Sequence, residues 1–382
     1  MSRWVRMQGC AANESGPSPS DRAAQQVPWL RVSWLLIGIV ALYLLIGGRS
    51  TLWDRDEPRF ARAAVEMVES GDYLVPTFNG RLRPDKPILV YWLMSVPIRV
   101  FGAHAFACRF ASAVGTGLTC LFTFLIGVRL LNTRAAFWAV AVLASSLLCL
   151  VEGTAATADA VLLPWMTAVM AIFVRAWDRG RCSPLDVLGM GAAFGLALLA
   201  KGPVGLLPAV VIAAILVLLR GQRPSPGLRF VLPLVAGMAI GSALFLAWAL
   251  PANKATHGEF LRLGIGHHVI GRSARPLEGH GGRLLLFLPY YPLILLGTFF
   301  PWSLHLFGAV SHTLSGRLGG HAGRAILIGW VVPVVVLMTL VATKLPHYIL
   351  FAWPALALMV GGTLAAAQAD PLTHATHRWL RG

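Results

Sequence analysis

Long apolar runs separated by short polar turns dominate this chain. They fall at about residues 32–48, 107–128, 135–151, 160–177, 186–219, 230–250, 284–304, 325–342 and 347–367. Most are near the roughly 20 residues that carry an α-helix across a bilayer. Because backbone groups in lipid must be satisfied within their own segment, such runs predict helices packed as a bundle. The run at 186–219 is interrupted by Lys201-Gly202-Pro203 and reads as two short crossings, which brings the expected spans to ten. Residues 87–102 are too short for a crossing and contain Pro97 and Arg99. They predict an interfacial or re-entrant helix.

Composition narrows the class further. At 57% hydrophobic and 13% charged, the chain lies outside the ordinary soluble range and is expected to be an all-α polytopic membrane protein. Its formal net charge of +16 is spread over short loops. That pattern fits positive-inside topology and no nucleic-acid partner. Five cysteines without a CxxC spacing, Cys10, Cys108, Cys120, Cys149 and Cys182, read as packing residues. Residues 1–31 are Ser/Pro/Gly-rich and are expected to form a disordered cytoplasmic tail, with 32–367 as the membrane domain and 368–382 as a short second tail.

Loop charges set the expected orientation. Arg22 and Arg31 precede the first span, and Arg129, Arg134, Arg175, Arg179, Arg181, Arg220, Arg223 and Arg229 mark turns on the same inner side. The first outer loop, 51–106, then emerges on the other face, as do Asp159, Lys201, the loop 251–283 and Lys344-Leu345-Pro346-His347. Chemistry-capable groups thus gather on one side. The expected location is the bacterial plasma (inner) membrane, with those groups facing outward.

Residues 51–93 hold seven of the chain's sixteen acids, five arginines and one lysine. Charge of that density cannot lie in hydrocarbon, so the stretch is extramembranous. Asp54, Asp56 and Glu57 surround Arg55 and precede a helical pattern in which Phe60, Ala64, Val65 and Val68 share one face and Arg62 and Glu66 pair at i,i+4 on another. This predicts an amphipathic helix in the interface. Pro58 suits its first turn, and a helix cap accounts for one acid. Three acids beside an arginine point to a base or sugar-binding carboxylate near phosphate-binding cations. Arg81, Arg83 and Lys86 either snorkel toward lipid headgroups or bind a phosphate. Asp159 is either an N-terminal helix acid or a cavity acid. The histidines of 251–283 have no HxxxH or HExxH spacing, and taken alone they read as interfacial polar residues.

Several ordered motifs resemble one family: Asp56-Glu57-Pro58-Arg59-Phe60-Ala61, Ser70-Gly71-Asp72-Tyr73-Leu74-Val75-Pro76, Phe78-Asn79-Gly80, Asp85-Lys86-Pro87, Tyr91-Trp92-Leu93, Lys201-Gly202-Pro203-Val204-Gly205 and Lys344-Leu345-Pro346-His347-Tyr348. Over roughly residues 32–365 the chain is similar to the aminoarabinose transferase and protein O-mannosyltransferase-like family of GT-C membrane fold. The resemblance implies a sugar donor carried on polyprenyl phosphate and a glycolipid, glycan or protein acceptor, with membrane lipids as surroundings. It implies Asp56 as base or acceptor-positioning carboxylate, Asp159 as its partner, and Arg59 and Lys86 on the donor phosphate. Some members hold a divalent metal (Zn, Mg or Mn) between the acid before the Lys-Pro pair and a later histidine. Here these would be Asp85, where glutamate is more usual, and His280. The family commonly continues with further spans and an outer soluble domain.

The expected site therefore comprises Asp56, Asp159 and Glu57 as catalytic acids, and Arg59, Lys86, Arg83, Lys201 and Lys344 on the donor phosphate. Asp85 and His280 are the metal candidates, and Asp54, Tyr91 and His347 are expected against substrate. The chemistry asks for a carboxylate to take the acceptor proton and cations to neutralise the departing phosphate. A lipid-sugar flippase would place ionisable groups near the midplane and show inverted repeats, neither of which the sequence contains. A non-catalytic subunit of the same fold is the third reading.

Overall fold

A computed structural model of the chain describes residues 27–53, 56–220, 227–264 and 287–369. The helices are α1 (Trp29–Gly48), α2 (Asp56–Ser70), α3 (Leu89–Phe101), α4 (Ala105–Leu130), α5 (Thr133–Ser145), α6 (Leu147–Gly153), α7 (Ala158–Asp178), α8 (Pro184–Lys201), α9 (Leu207–Leu218), α10 (Leu228–Ala255), α11 (Tyr290–Thr298), α12 (Leu306–Leu314), α13 (Gly320–Leu340) and α14 (Trp353–Ala369). Among the described residues the strands are a two-residue pair, β1 (Thr77–Phe78) and β2 (Arg81–Leu82). Most of residues 1–31 and all but the start of 368–382, for which tails were expected, lie outside the described residues.

Among the described residues, seven helices are long and apolar enough to cross a membrane, or nine if each of two bent pairs counts as one span, against the ten expected. The shortfall lies at Pro184–Leu218, which by length counts as one 35-residue span. At about 1.5 Å per residue, so long a helix would overshoot the roughly 30 Å hydrocarbon core. Gly202 turns the chain inside it, with φ 60°, a backbone conformation for which glycine carries no Cβ penalty. The two limbs lie on either side of that turn. Asp186, near the start of α8, pairs with Arg175 near the end of α7, while Lys201, at the end of α8, pairs with Asp159 at the start of α7. Helices α7 and α8 are therefore antiparallel, and α8 rises to the Lys201 end. Leu207 shares a cavity with Lys201, whereas Ile215 and Leu218 pack against Gly329 halfway along α13. Helix α9 thus leads away from that end.

Two other expected spans are not straight. The run 135–151 bends by 66° between α5 and α6, and the run expected at 284–304 bends by 115° between Tyr290–Thr298 and Trp302–Leu314. The first bend turns α6 so that Glu152, near its end, meets His347. Helix α3 is a 13-residue apolar helix, as its length and Pro97 predict.

Helix contacts use small residues where backbones must approach. A Cβ at Gly241 of α10 would lie 2.7 Å from both the Gly191 carbonyl oxygen and the Gly195 nitrogen of α8, so only glycine admits this crossing. By contrast, only 22% of the most apolar window of α1 and of α10 is buried, which leaves broad apolar faces toward lipid. Among the described spans, α7 and the segment Pro346–Ala369 that contains α14 are the most enclosed, with 78% and 83% buried, and form the centre of the bundle.

Residues 56–93 fold into a compact cap. Helix α2 buries Phe60, Ala61, Ala63, Ala64 and Met67, and its Arg62 meets Glu66 at 3.0 Å, the pairing its spacing predicts. The β1–β2 hairpin turns at Asn79-Gly80, both with positive φ, which is the signature of a tight two-residue turn. The Glu66 carboxylate clamps this turn to α2. It accepts from the Thr77 hydroxyl at 2.8 Å and from the Asn79 and Gly80 N–H groups at 2.7 and 3.3 Å. Two indoles pin the connecting loop: Trp92 Nε1 donates to the Tyr73 carbonyl and Trp248 Nε1 to the Leu74 carbonyl.

Candidate active site

Beneath the cap lies a cavity of about 270 Å³. Its polar wall comprises Asp85, Lys86, Asp159, Lys201, His347 and Tyr348, and its apolar wall includes Leu163, Met166, Phe245, Trp248, Met338 and Phe351. These residues come from the loop before α3, from α7, α8, α10 and α13, and from the 3-10 segment Pro346–Ala352. Lys86, Asp159, Lys201 and His347 thus meet as expected, although up to 261 residues separate them in sequence, counting from Lys86 to His347 (347 − 86).

Asp159 is the hub of the polar wall. Its Oδ1 pairs with Lys201 Nζ, and its Oδ2 faces His347 Nε2 at 3.8 Å. Lys201 also lies 5.4 Å from the centre of the Tyr348 ring. Lys86 is close enough for its charge to act on both Asp159 and His347. Asp56 stands at the start of α2 with its side chain 52% exposed, 3.8 Å from Arg59, and its charge reaches His347 and Tyr91. Asp56 and Arg59 therefore sit at the rim rather than in the wall.

Four expected site residues are used otherwise. Glu57 is 1% exposed, and both its oxygens are spent: Arg109 Nε donates to Oε1 at 2.8 Å and Nη2 to Oε2 at 2.6 Å, with the Trp53 and Ala156 N–H groups also donating to it. It is a structural pin and has no face left for a proton in transit. Arg83, expected on the phosphate, is 6% exposed, with its guanidinium 5.1 Å from the Phe60 ring centre and 5.6 Å from that of Phe78. Its Nε donates to the Tyr91 hydroxyl at 2.9 Å and its Nη1 lies 3.2 Å from Asp85. Tyr91, expected against substrate, is itself fully buried, and burial pushes its phenol up to about 12, so it stays a neutral partner of Arg83. Lys344 folds back to donate to the Met338, Thr339 and Val341 carbonyls, closing the end of α13, where backbone acceptors have no partner within the helix.

Asp54 and His280 lie outside the described residues. Among the described residues no three of His, Cys, Asp and Glu converge on a metal position. Asp85 faces the Arg83 guanidinium, whose charge opposes a cation beside it. The described residues do not by themselves compose the expected metal site.

Two functional neighbours escaped the sequence reading. Arg109 stands inside the apolar run of α4, and a buried arginine there demands an acid, which is Glu57. Glu152 follows directly on the run ending at 151. It reaches His347 Nδ1 at 3.6 Å and accepts from the Thr157 hydroxyl at 2.8 Å. An acid so close to an apolar run was the available signal.

Residues 85–250 match the family described as dolichyl-phosphate-mannose-protein mannosyltransferase. The chain is 32% identical over 337 residues to the undecaprenyl phosphate-alpha-4-amino-4-deoxy-L-arabinose arabinosyl transferase of Edwardsiella ictaluri, covering 86% of this chain and 59% of that protein. It is also 32% identical over 361 residues to the protein of the same description from Aeromonas salmonicida, covering 91% and 63%. The chain thus spans about six-tenths of the length of the curated relatives it matches. Its fold is similar to the crystal structure of ArnT from Cupriavidus metallidurans bound to undecaprenyl phosphate, with a TM-score of 0.75 and 22% identity over 90% of this chain and 61% of that one. The archaeal oligosaccharyltransferase of Archaeoglobus fulgidus follows at a TM-score of 0.53 and 12% identity, over 91% of this chain and 51% of that one.

Bundle, cap and cavity define an all-α, multi-pass membrane protein whose fold is like that of the ArnT and oligosaccharyltransferase structures. In sequence the chain is similar to aminoarabinose transferases and, over residues 85–250, to the protein mannosyltransferase family.

Proposed function

We propose that this protein is a glycosyltransferase that moves a sugar from a polyprenyl-phosphate carrier to an acceptor hydroxyl at the outer face of a bacterial inner membrane. The observation that carries the reading is the meeting of Lys86, Asp159, Lys201 and His347 on one cavity whose other wall is apolar. A polyprenyl phosphate needs that combination: cations for its head and hydrocarbon for the first units of its tail. A lipid A-like glycolipid, an envelope glycan and a protein are the acceptor classes.

The reaction is a one-step displacement. The acceptor oxygen bonds to the anomeric carbon as the bond from that carbon to the phosphate oxygen breaks, and the electron pair leaves with the lipid phosphate. Attack opposite the leaving group inverts the anomeric configuration. Lys86 neutralises the departing phosphate, with Arg59 at the rim, and Lys201 adds charge that Asp159 partly balances. Asp56, at the mouth of the cavity, takes the acceptor proton, and Asp159 orients the acceptor across from it.

Replacing Asp56 with Asn tests this. Transfer should fall by roughly 10²-fold or more while the protein still binds undecaprenyl phosphate. Undiminished transfer would refute the role of Asp56. Carrier movement across vesicles by a wild type that transfers no sugar would favour a flippase.

A further inference from the structure

We infer that Arg83 is a positioning residue for the donor phosphate: from outside the cavity, its guanidinium holds the turn that carries Lys86 and balances the Asp85 charge beside it. This rests on the transferase reading above. Asp85 and Lys86 are consecutive and both line the cavity, so an anion and a cation stand side by side where the phosphate head is received. Left to themselves, their charges largely cancel, and the phosphate meets a carboxylate next to the ammonium that holds it.

Arg83 is placed to undo that cancellation. It is 6% exposed and lies outside the cavity lining, with Nη1 3.2 Å from Asp85 Oδ2. With a guanidinium behind the carboxylate, the three side chains carry a surplus of positive charge, and Lys86 is the cation of the two that faces the cavity. Asp85 and Lys86 have further partners, and Asp159, Lys201 and His347 share the same wall. Removing Arg83 subtracts a positive charge from beside Asp85 in any case.

The guanidinium is held as firmly as the turn it holds. The Arg83 N–H donates to the Pro76 carbonyl at 2.9 Å, and Nε donates to the Tyr91 hydroxyl at 2.9 Å. Its head lies over the rings of Phe60 and Phe78, which offer a buried cation their π faces. Helix α2, the hairpin and α3 thus converge on one side chain. On the far side of the turn, Pro87 packs at Gly202, where a Cβ would lie 3.6 Å from the proline Cγ, and Gly202 follows Lys201. The turn is therefore held between Arg83 and the bend after Lys201, which brings both lysines to one wall. A lysine at 83 could supply the charge but not the planar fork that reaches Tyr91 and Asp85 together.

Calorimetric titration of the full-length protein in detergent with undecaprenyl phosphate tests the inference. Arg83→Met is expected to weaken binding roughly 10-fold, and Arg83→Lys, which keeps the charge, no more than about threefold. Arg83→Gln, neutral but still a hydrogen-bond donor, gives the same comparison if Arg83→Met does not fold. The decisive background is Asp85→Asn, which removes the carboxylate charge and keeps an oxygen for the guanidinium. That variant should bind at least as tightly as wild type, and Arg83→Met added to it should weaken binding no more than about threefold. A purely structural Arg83 would weaken binding equally in both backgrounds, and equal losses overturn the inference. So does a loss of roughly 10-fold or more in Asp85→Asn alone, a result that needs no Arg83 variant to fold. Lys86→Ala separates the two readings. If it binds undecaprenyl phosphate as wild type does, the phosphate reading of the cavity fails and takes this inference with it. If it weakens binding while Arg83→Met does not, only the inference falls.

Discussion

Arg109 Nη2 lies 2.6 Å from Glu57 Oε2, and both side chains are 2% exposed. The same guanidinium also donates to the Gly47, Ser50 and Thr51 carbonyls and the Ser50 hydroxyl, so one residue of α4 ties the end of α1 and the residues just after it to the start of α2. Breaking a buried pair by removing one partner leaves the other charge uncompensated, at a cost of about 3–5 kcal/mol. Arg109→Met and Glu57→Gln are each expected to lower the thermal unfolding midpoint in detergent clearly. An unchanged midpoint in both would mean the clasp contributes nothing to stability.

Lys86 and Lys344 are expected to behave differently although both were candidates for the donor phosphate. Lys86→Ala should weaken undecaprenyl phosphate binding by roughly 10-fold or more, the range of a charged hydrogen bond. Calorimetric titration of the purified protein gives the comparison with wild type.

Lys344→Met should leave that affinity within about twofold and instead lower the unfolding midpoint, because it strips the end of α13 of the donor its carbonyls share. A large affinity loss with unchanged stability would return Lys344 to the phosphate site.

The cap should loosen in acid through Glu66. Burial pushes its carboxyl upward, but the Thr77 hydroxyl, the Asn79 and Gly80 N–H groups and Arg62 outweigh burial and hold it below its ordinary value of 4.5. With the folded value below the unfolded one, its contribution to stability is full above the unfolded value and fades as pH falls through the folded one. Wild-type midpoints should therefore drop on going from about pH 6 to pH 3, and the Glu66→Gln curve should be flatter over that interval. Parallel curves would refute the assignment.

Much of the fold was legible because lipid imposes a strong length rule. The runs that became α1, α4, α7 and α13 needed only counting, and Pro97 with Arg99 marked α3 as too short to cross. The 66° and 115° bends were hidden, since hydropathy reports composition and not direction. At the site, Lys86, Asp159, Lys201 and His347 could be grouped because the expected topology puts each of them on the same face of the membrane. Glu57, Arg83, Tyr91 and Lys344 could not be sorted from them by sequence. A charged side chain turned inward to a partner and one turned toward a cavity look alike until the chain is folded, and the partners of Arg83 and Glu57 are set by packing of the cap.

The pairing of Asp159 with Lys201 also bears on how such a site gets into a bilayer at all. Helices α7 and α8 follow one another and are joined by a short turn, so an acid and a base that would each resist insertion can enter as a neutral couple. His347 arrives much later in synthesis, within Pro346–Ala352, and only then does the polar wall gain its imidazole. During biogenesis the protein would therefore carry its charges in a quenched form and become competent for chemistry only once its last described spans have docked.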